Sequence, residues 1–163
     1  MKLFALVVIA AVSLFAANEY SNRRAPGFSL MDSKFQQHDP QDYRGKIVLV
    51  DFMQTTCPIC TRLVGELQQV KAKYGDKVEI LSIMTLPDNF EKADKFAADH
   101  KVTWPMLFDS GQVMMSFLKM TPANPKVNFP HLFIIDRAGM IRFDFEGDED
   151  AAGIEAQIDK AMK

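Results

Sequence analysis

The sequence GKIVLVDFMQTTCPIC, residues 45–60, contains an apolar run that ends shortly before two cysteines. Residues 47–50 are apolar and mostly β-branched, which is typical of a strand buried on both faces of a largely parallel sheet. Asp51 is the one polar residue that interrupts the run. Pro58 is tolerated at the first position of a helix, and a helical pattern follows it. The cysteines are therefore predicted to lie where a strand gives way to a helix.

Cys57 and Cys60 are the only cysteines in the chain. A helix N-terminus offers free N–H groups and the positive end of the helix dipole, and both favour a thiolate over a thiol. Cys57, at that terminus, is the predicted nucleophile. Cys60 follows about one turn later and is close enough to form a small disulfide with Cys57. The pair is therefore predicted to be oxidised and reduced reversibly.

Two segments of the chain resemble the thioredoxin superfamily. The first is Val-Asp-Phe at residues 50–52 with Cys-Pro-Ile-Cys at residues 57–60. The second is Asn-Phe-Pro-His at residues 128–131, followed by an apolar strand. An extra strand and helix between these segments resemble the TlpA-like extracytoplasmic thiol:disulfide oxidoreductases and the related AhpC/TSA, or peroxiredoxin, branch.

This resemblance implies both a fold and a site. The fold would be α/β, a thioredoxin fold with a central mixed β-sheet flanked by helices and an inserted βα element. Pro130 would be a cis-proline that, with the backbone of Phe129, packs against the cysteines and binds the substrate disulfide. Asp51, six residues before Cys57, would accept a proton from Cys60, because burial raises the pKa of a carboxyl group toward the range of a general base.

The resemblance also implies thiol–disulfide exchange with protein partners. The Cys57 thiolate would attack a partner disulfide, and Cys60 would resolve the mixed disulfide that forms. This chemistry needs no bound cofactor and no metal, and we expect the protein to be a monomer.

The amino-terminal residues predict export from the cytoplasm. Residues 1–17 carry one basic residue followed by an apolar stretch, which is typical of a secretory signal peptide. The stretch is short for a spanning helix, which needs about 20 apolar residues, but an uncleaved membrane anchor is an alternative, as is a buried N-terminal helix. Residues 18–25 are expected to form a linker and residues 26–163 the thioredoxin-like domain.

Either secretory interpretation places the domain in the periplasm or another extracytoplasmic compartment. The surroundings there are oxidising, so a reductase needs an electron donor, which we expect in the membrane. With 163 residues and a net charge of −2, the chain suits one globular domain. Its basic residues are dispersed among acidic ones, which argues against nucleic-acid binding.

The remaining sequence alternates strand and helix patterns, as in an α/β domain. Asp88 with Glu91 resembles a capping pair for the second helix. Helices are predicted over residues 57–74, 89–100, 113–120 and 150–162, and strands over residues 28–31, 47–52, 78–84, 104–108, 132–135 and 140–145.

Two alternative functions use the same cysteines. A copper-binding or redox-sensing module would combine the thiolates with His131 and the thioethers of Met114, Met115 and Met120. The copper-delivery relatives of this fold, however, resemble a CxxxC spacing. A peroxiredoxin-like peroxidase would have a threonine three residues before the nucleophile and a proline four residues before that. This chain has Gln54 and Val50 at those positions, so disulfide exchange is the favoured function.

Overall fold

A mixed six-stranded β-sheet with packed layers on both faces forms the centre of the protein. The computed structural model describes residues 20–163. In chain order the elements are β1 (Arg23–Arg24), β2 (Leu30–Met31), β3 (Gln37–His38), β4 (Ile47–Met53), α1 (Pro58–Tyr74), β5 (Val78–Met84), α2 (Phe90–His100), β6 (Met106–Phe108), α3 (Gln112–Phe117), β7 (His131–Ile135), β8 (Met140–Glu146) and α4 (Ala151–Ala161).

Strand β4 lies in the interior of this sheet. The strand order is β1-β8-β7-β4-β5-β6, while β2 and β3 pair in a separate hairpin. β4 runs parallel to β5 and antiparallel to β7, so the sheet is mixed. Two strand–helix units, β5–α2 and β6–α3, connect α1 to β7 and include the inserted βα element. The predicted α/β class with a central mixed sheet flanked by helices is confirmed.

All seven residues of β4 are buried, because the sheet is covered on both faces. Side chains alternate between the faces of a strand. Leu49 and Met53 pack with side chains of α1, α2 and α4, on what we call the α1 face. Val50 and Phe52 pack with side chains of α3, on what we call the α3 face. This double burial accounts for the continuous apolar run in the sequence.

Three phenylalanine rings fill the centre of the α3 face. The ring centroids of Phe52, Phe117 and Phe133 are separated by 5.4, 6.0 and 5.1 Å, and the rings meet edge to face. This geometry is the favoured one for aromatic pairs, and it joins α3 to the two central strands β4 and β7.

The predicted helices and strands are present, with differences at their ends. α3 ends at Phe117 instead of residue 120, and Lys119 has a φ of 48°, a left-handed conformation that does not continue a right-handed helix. β6 begins at Met106, and the side chain of Trp104 is buried on the α1 face.

The amino-terminal part of the described chain packs against the sheet. Arg23–Arg24 form β1, an edge strand that pairs with β8, although residues 18–25 were expected to be a linker. The ring of Tyr20 meets the ring of His131 edge-on, with centroids 5.5 Å apart. Tyr20 and β1 therefore pack as part of the folded structure. The predicted signal peptide or anchor, residues 1–17, lies outside the described residues. Among residues 20–163, no helix combines the length and apolar character needed to cross a membrane.

Candidate active site

The two cysteines lie at the N-terminus of α1, as the sequence predicts. Cys57 is the N-cap residue, and Cys60 is in the first turn. They form a disulfide, with Cα atoms 5.2 Å apart. Pro58, the first residue of the helix, lacks an N–H that would have no partner there. The short turn after β4 therefore places both sulfur atoms at the end of the sheet where β4 finishes.

The two sulfur atoms differ in exposure and in hydrogen bonding. Cys57 is half-buried, whereas Cys60 is 1% exposed and packs on the α1 face. The backbone N–H of Cys60 donates to Cys57 Sγ over 3.2 Å. In the reduced protein, this N–H and the positive end of the helix dipole would stabilise a thiolate at Cys57. Cys57 is therefore the sulfur that a partner can reach.

The second segment predicted for the site meets the first at Cys57. The peptide bond between Phe129 and Pro130 is cis. The carbonyl oxygen of Phe129 lies 3.8 Å from Cys57 Sγ, and Pro130 is buried. β7 begins immediately afterwards and pairs with β4, which brings the two distant segments together.

Asp51 is fully buried in the middle of the sheet. By alternation along β4 it faces the α1 face, the same side as Cys60. Its Oδ2 accepts a hydrogen bond of 3.2 Å from the Ser82 hydroxyl, which in turn accepts one of 2.9 Å from the Trp104 indole N–H. Within residues 20–163, Asp51 Oδ1 has no hydrogen-bond partner. Burial raises the pKa of Asp51 to about 7, and the bond from Ser82 only partly opposes this.

Asp88 is a residue near the site whose position the sequence did not reveal. It was expected to cap the second helix, but the cap of α2 is Asn89, whose side chain accepts from the Lys92 N–H over 2.9 Å. Asp88 is instead buried and accepts two hydrogen bonds from Thr55, one from the backbone N–H at 2.8 Å and one from the hydroxyl at 2.6 Å. In the sequence, Asp88 and Asn89 are adjacent and both are of a type that caps helices. This adjacency was the one signal that Asp88 could have a role other than capping α2.

These bonds join two turns at the same edge of the sheet. Thr55 belongs to the turn that leads from β4 to Cys57, and Asp88 belongs to the turn between β5 and α2. Gln54 adds a third bond, from its side-chain amide to the carbonyl oxygen of Leu86 over 3.4 Å. Because β4 and β5 are adjacent parallel strands, their turns leave the sheet side by side.

His131 and the methionines considered for copper do not join the cysteines. His131 stacks on Phe133, with ring centroids 4.6 Å apart, and its Nε2 lies 3.2 Å from Asp144 Oδ2. Phe133 and Met114 belong to the α3 face, whereas Cys60 belongs to the α1 face. In residues 20–163 no group of three His, Cys, Asp or Glu side chains is arranged to hold a metal ion. The sheet therefore separates the imidazole from the sulfur pair.

The comparisons with known proteins agree with this geometry. Residues 22–144 match the model of the AhpC/TSA family. The chain belongs to this family. It is 30% identical over 138 residues to the thiol-disulfide oxidoreductase ResA of Geobacillus kaustophilus, covering 83% of this chain and 74% of ResA. It is 27% identical to the thioredoxin-like protein YneN of Bacillus subtilis, covering 74% of this chain and 68% of YneN.

The comparison with solved structures concerns the fold. A crystal structure of a putative thiol:disulfide interchange protein DsbE from Chlorobium tepidum superposes with a TM-score of 0.73 at 23% identity, covering 86% of this chain and 96% of that one. The thioredoxin fold is therefore confirmed. This member of the AhpC/TSA family is a TlpA-like thiol:disulfide oxidoreductase, as the sequence predicts.

We expect the stability of the protein to depend on pH through Asp51. A carboxyl group with a raised folded-state pKa favours the folded state at low pH, and this stability is lost as pH rises through about 7. The variant Asp51→Asn carries no such charge. Its stability relative to the wild type should therefore increase by about 3 kcal/mol from pH 5 to pH 8, measured by urea unfolding of the oxidised proteins.

The matched control for this experiment is Asp76→Asn, which changes an exposed carboxylate in the turn after α1. Its pH profile should run parallel to that of the wild type. A profile for Asp51→Asn that is also parallel to the wild type would show that Asp51 is ionised in the folded protein across this range.

The variant Asp88→Ala should destabilise the oxidised protein by about 1–3 kcal/mol, because it leaves the Thr55 N–H and hydroxyl without their acceptor. Urea unfolding measures this change. Asp94→Ala is the control, since Asp94 makes one exposed hydrogen bond with Ser33 and its loss should change stability by less than about 0.5 kcal/mol. Equal effects of the two substitutions would contradict the role of Asp88 in joining the turns.

Proposed function

We propose that the protein exchanges disulfides with protein partners outside the cytoplasm, with Cys57 as the nucleophile and Cys60 as the resolving thiol. The asymmetry of the pair is the observation that carries this assignment. Cys57 is half-buried at the helix N-terminus, and its sulfur accepts a hydrogen bond from the backbone N–H of Cys60. Cys60 itself is buried. A partner disulfide therefore has access to Cys57 first.

The first step joins the enzyme to its partner. The Cys57 thiolate attacks one sulfur of the partner disulfide, a new S–S bond forms, and the other partner sulfur leaves as a thiolate. The Cys60 N–H and the α1 dipole favour the reactive thiolate form of Cys57. The carbonyl oxygen of Phe129 borders Cys57, and a cis peptide bond joins Phe129 to Pro130, so we assign these two residues to binding of the partner backbone.

The second step releases the partner. Cys60 loses its proton and attacks Cys57 Sγ, which forms the intramolecular disulfide and frees the second partner thiol. Asp51 lies on the same face of the sheet, and its raised pKa of about 7 lets it accept this proton at neutral pH. We therefore assign Asp51 as the general base for resolution.

Each cycle in the reducing direction consumes two electrons, which an external donor must restore. We propose that this donor is a membrane protein and that the enzyme works as a monomer in the periplasm or another extracytoplasmic compartment. The apolar stretch at residues 1–17 supports this location, either as a signal peptide or as an N-terminal anchor. Residues 26–163, extended at least to Tyr20, form the catalytic domain.

Substitution of the resolving thiol tests the assignment of the two cysteines. Cys60→Ser should accumulate disulfide-linked complexes with partner proteins, because the mixed disulfide at Cys57 has no internal thiol to resolve it. The purified variant is first reduced, freed of reductant and then mixed with a protein that contains intact disulfides, such as insulin. Non-reducing electrophoresis measures the complexes that form. Cys57→Ser is the control and should form at least tenfold less. Equal trapping by both variants would contradict the assignment of distinct roles, and trapping by Cys57→Ser alone would reverse the roles.

A separate kinetic test addresses Asp51. Asp51→Asn should slow release of the mixed disulfide by about tenfold or more while leaving its formation unchanged, since the base is needed only for the second step. Rapid acid quenching followed by mass spectrometry resolves the two steps. Ser82→Ala removes the hydrogen bond to Asp51 but keeps the carboxylate, and it should retain fast release. Wild-type rates of release in Asp51→Asn would contradict the assignment.

A further inference from the structure

A cleft lies at the opposite end of the sheet from the disulfide. Val48, near the start of β4, pairs with Ile135 at the end of β7, and both line this cleft. The cysteines follow the other end of β4. The cleft has a volume of about 170 Å³ and opens to solvent. No step of disulfide exchange uses it.

Four cationic side chains line this cleft, and we call it the basic cleft. They come from separate parts of the chain: Arg24 from β1, Arg44 and Lys46 from the segment before β4, and Arg137 from the turn between β7 and β8. The protein as a whole has a net charge of −2, so this concentration of positive charge does not reflect a generally basic surface.

The three arginines have no partner within the described chain. Across residues 20–163, the side chains of Arg24, Arg44 and Arg137 make neither an ion pair nor a hydrogen bond, whereas Lys46 bonds Glu79 over 3.3 Å. Among the described residues that line the cleft, Asp136 is the only acidic one. Its carboxylate is already engaged.

The bonds of Asp136 are local. One of its oxygens accepts from the backbone N–H groups of Ala138 and Met140, each over 2.9 Å, and the other accepts from Arg142 Nε over 2.5 Å. The Asp136 charge is therefore balanced by groups other than the three arginines. The basic cleft therefore presents three guanidinium groups to solvent that no carboxylate within residues 20–163 neutralises by an ion pair.

We propose that the basic cleft binds a phosphate-bearing ligand. Guanidinium groups form paired hydrogen bonds with both carboxylates and phosphates. A carboxylate has two oxygens and is served by one arginine, whereas a phosphate offers three or more oxygens in a tetrahedral arrangement and can engage several arginines at once. The phosphate belongs either to a soluble phosphorylated compound or to the headgroup of an anionic lipid. Because the disulfide lies at the other end of the sheet, a bound ligand leaves Cys57 accessible.

The test uses the full, oxidised chain at low ionic strength, where exposed charges are least screened. Inorganic phosphate and glycerol 3-phosphate are titrated by calorimetry, and vesicles of phosphatidylglycerol mixed with phosphatidylcholine are compared with pure phosphatidylcholine by sedimentation. The variant combines Arg24→Gln, Arg44→Gln and Arg137→Gln. The control combines Lys34→Gln, Lys95→Gln and Lys126→Gln, which changes the net charge equally at positions outside the cleft.

We expect the arginine variant to bind at least tenfold more weakly than both the wild type and the lysine control. Loss of binding to the soluble phosphates identifies a small-molecule site. Loss of the preference for phosphatidylglycerol vesicles, without heat from the soluble probes, identifies a lipid headgroup site. Equal binding by the arginine variant and the wild type with every probe overturns the proposal. Equal losses in the arginine variant and the lysine control also overturn it, because they attribute binding to net charge.

Two control measurements show whether the arginine variant keeps its structure and its activity. Its far-ultraviolet circular dichroism and its rate of insulin disulfide reduction should match the wild type, since none of the three arginines lies at the redox site. These readouts also separate the two hypotheses. Phosphate binding at the basic cleft can fail while insulin reduction through Cys57 is retained, and the assignment of Cys57 can fail while phosphate binding is retained.

Discussion

The burial of β4 on both faces is the constraint on which the redox site depends. Apolar side chains alternate between the two faces, so a slip of one residue along β5 or β7 would exchange every contact. The register is thereby set, and with it the point at which the strand ends and Cys57 begins α1. The same burial removes water from Asp51 and raises its pKa to about 7. One packing arrangement therefore positions the thiols and raises the pKa of the carboxyl group that we propose as their base.

The redox site is assembled from three turns at one edge of the sheet. The turn after β4 carries Cys57, the turn after β5 carries Asp88, and the segment before β7 carries Phe129 and its cis-proline. Asp88 holds the first turn through Thr55, and the Phe129 carbonyl borders the Cys57 sulfur. Contacts from the Phe129 backbone and from the Asp88 carboxylate thus hold the Cys57 segment in place and leave its sulfur partly exposed.

The opposite edge of the sheet has a different chemistry. There the turn between β7 and β8 and the segments before β4 place guanidinium groups around an open cleft, and these groups have no partner in the described part of the chain. The two edges are separated by the length of β4, seven residues, or about 20 Å at the usual rise of a strand. Binding at one edge and electron transfer at the other are therefore compatible in a single small domain.

Local patterns in the sequence were sufficient for the sulfur pair and for most of the elements, but not for the short strands β1 and β3. The run in residues 45–60 has a continuous apolar pattern, a proline and the CxxC spacing, all of which act over a few residues. Helix and strand periodicities likewise located α1, β5 and α4, because these periodicities reflect which side of an element is buried. Pro130 could be assigned only through resemblance to a family, since no local pattern distinguishes a cis-proline.

Tertiary structure alone decided which face of the sheet each polar side chain occupies. Neighbouring residues along a strand point in opposite directions, so His131 lies on the α3 face although it directly follows the segment that borders Cys57. Asp88 acts on Thr55 because β4 and β5 are adjacent, and the basic cleft joins Arg24 to Arg137 because β1 pairs with β8. These contacts depend on strand order and side-chain direction, which are set by packing across the whole sheet.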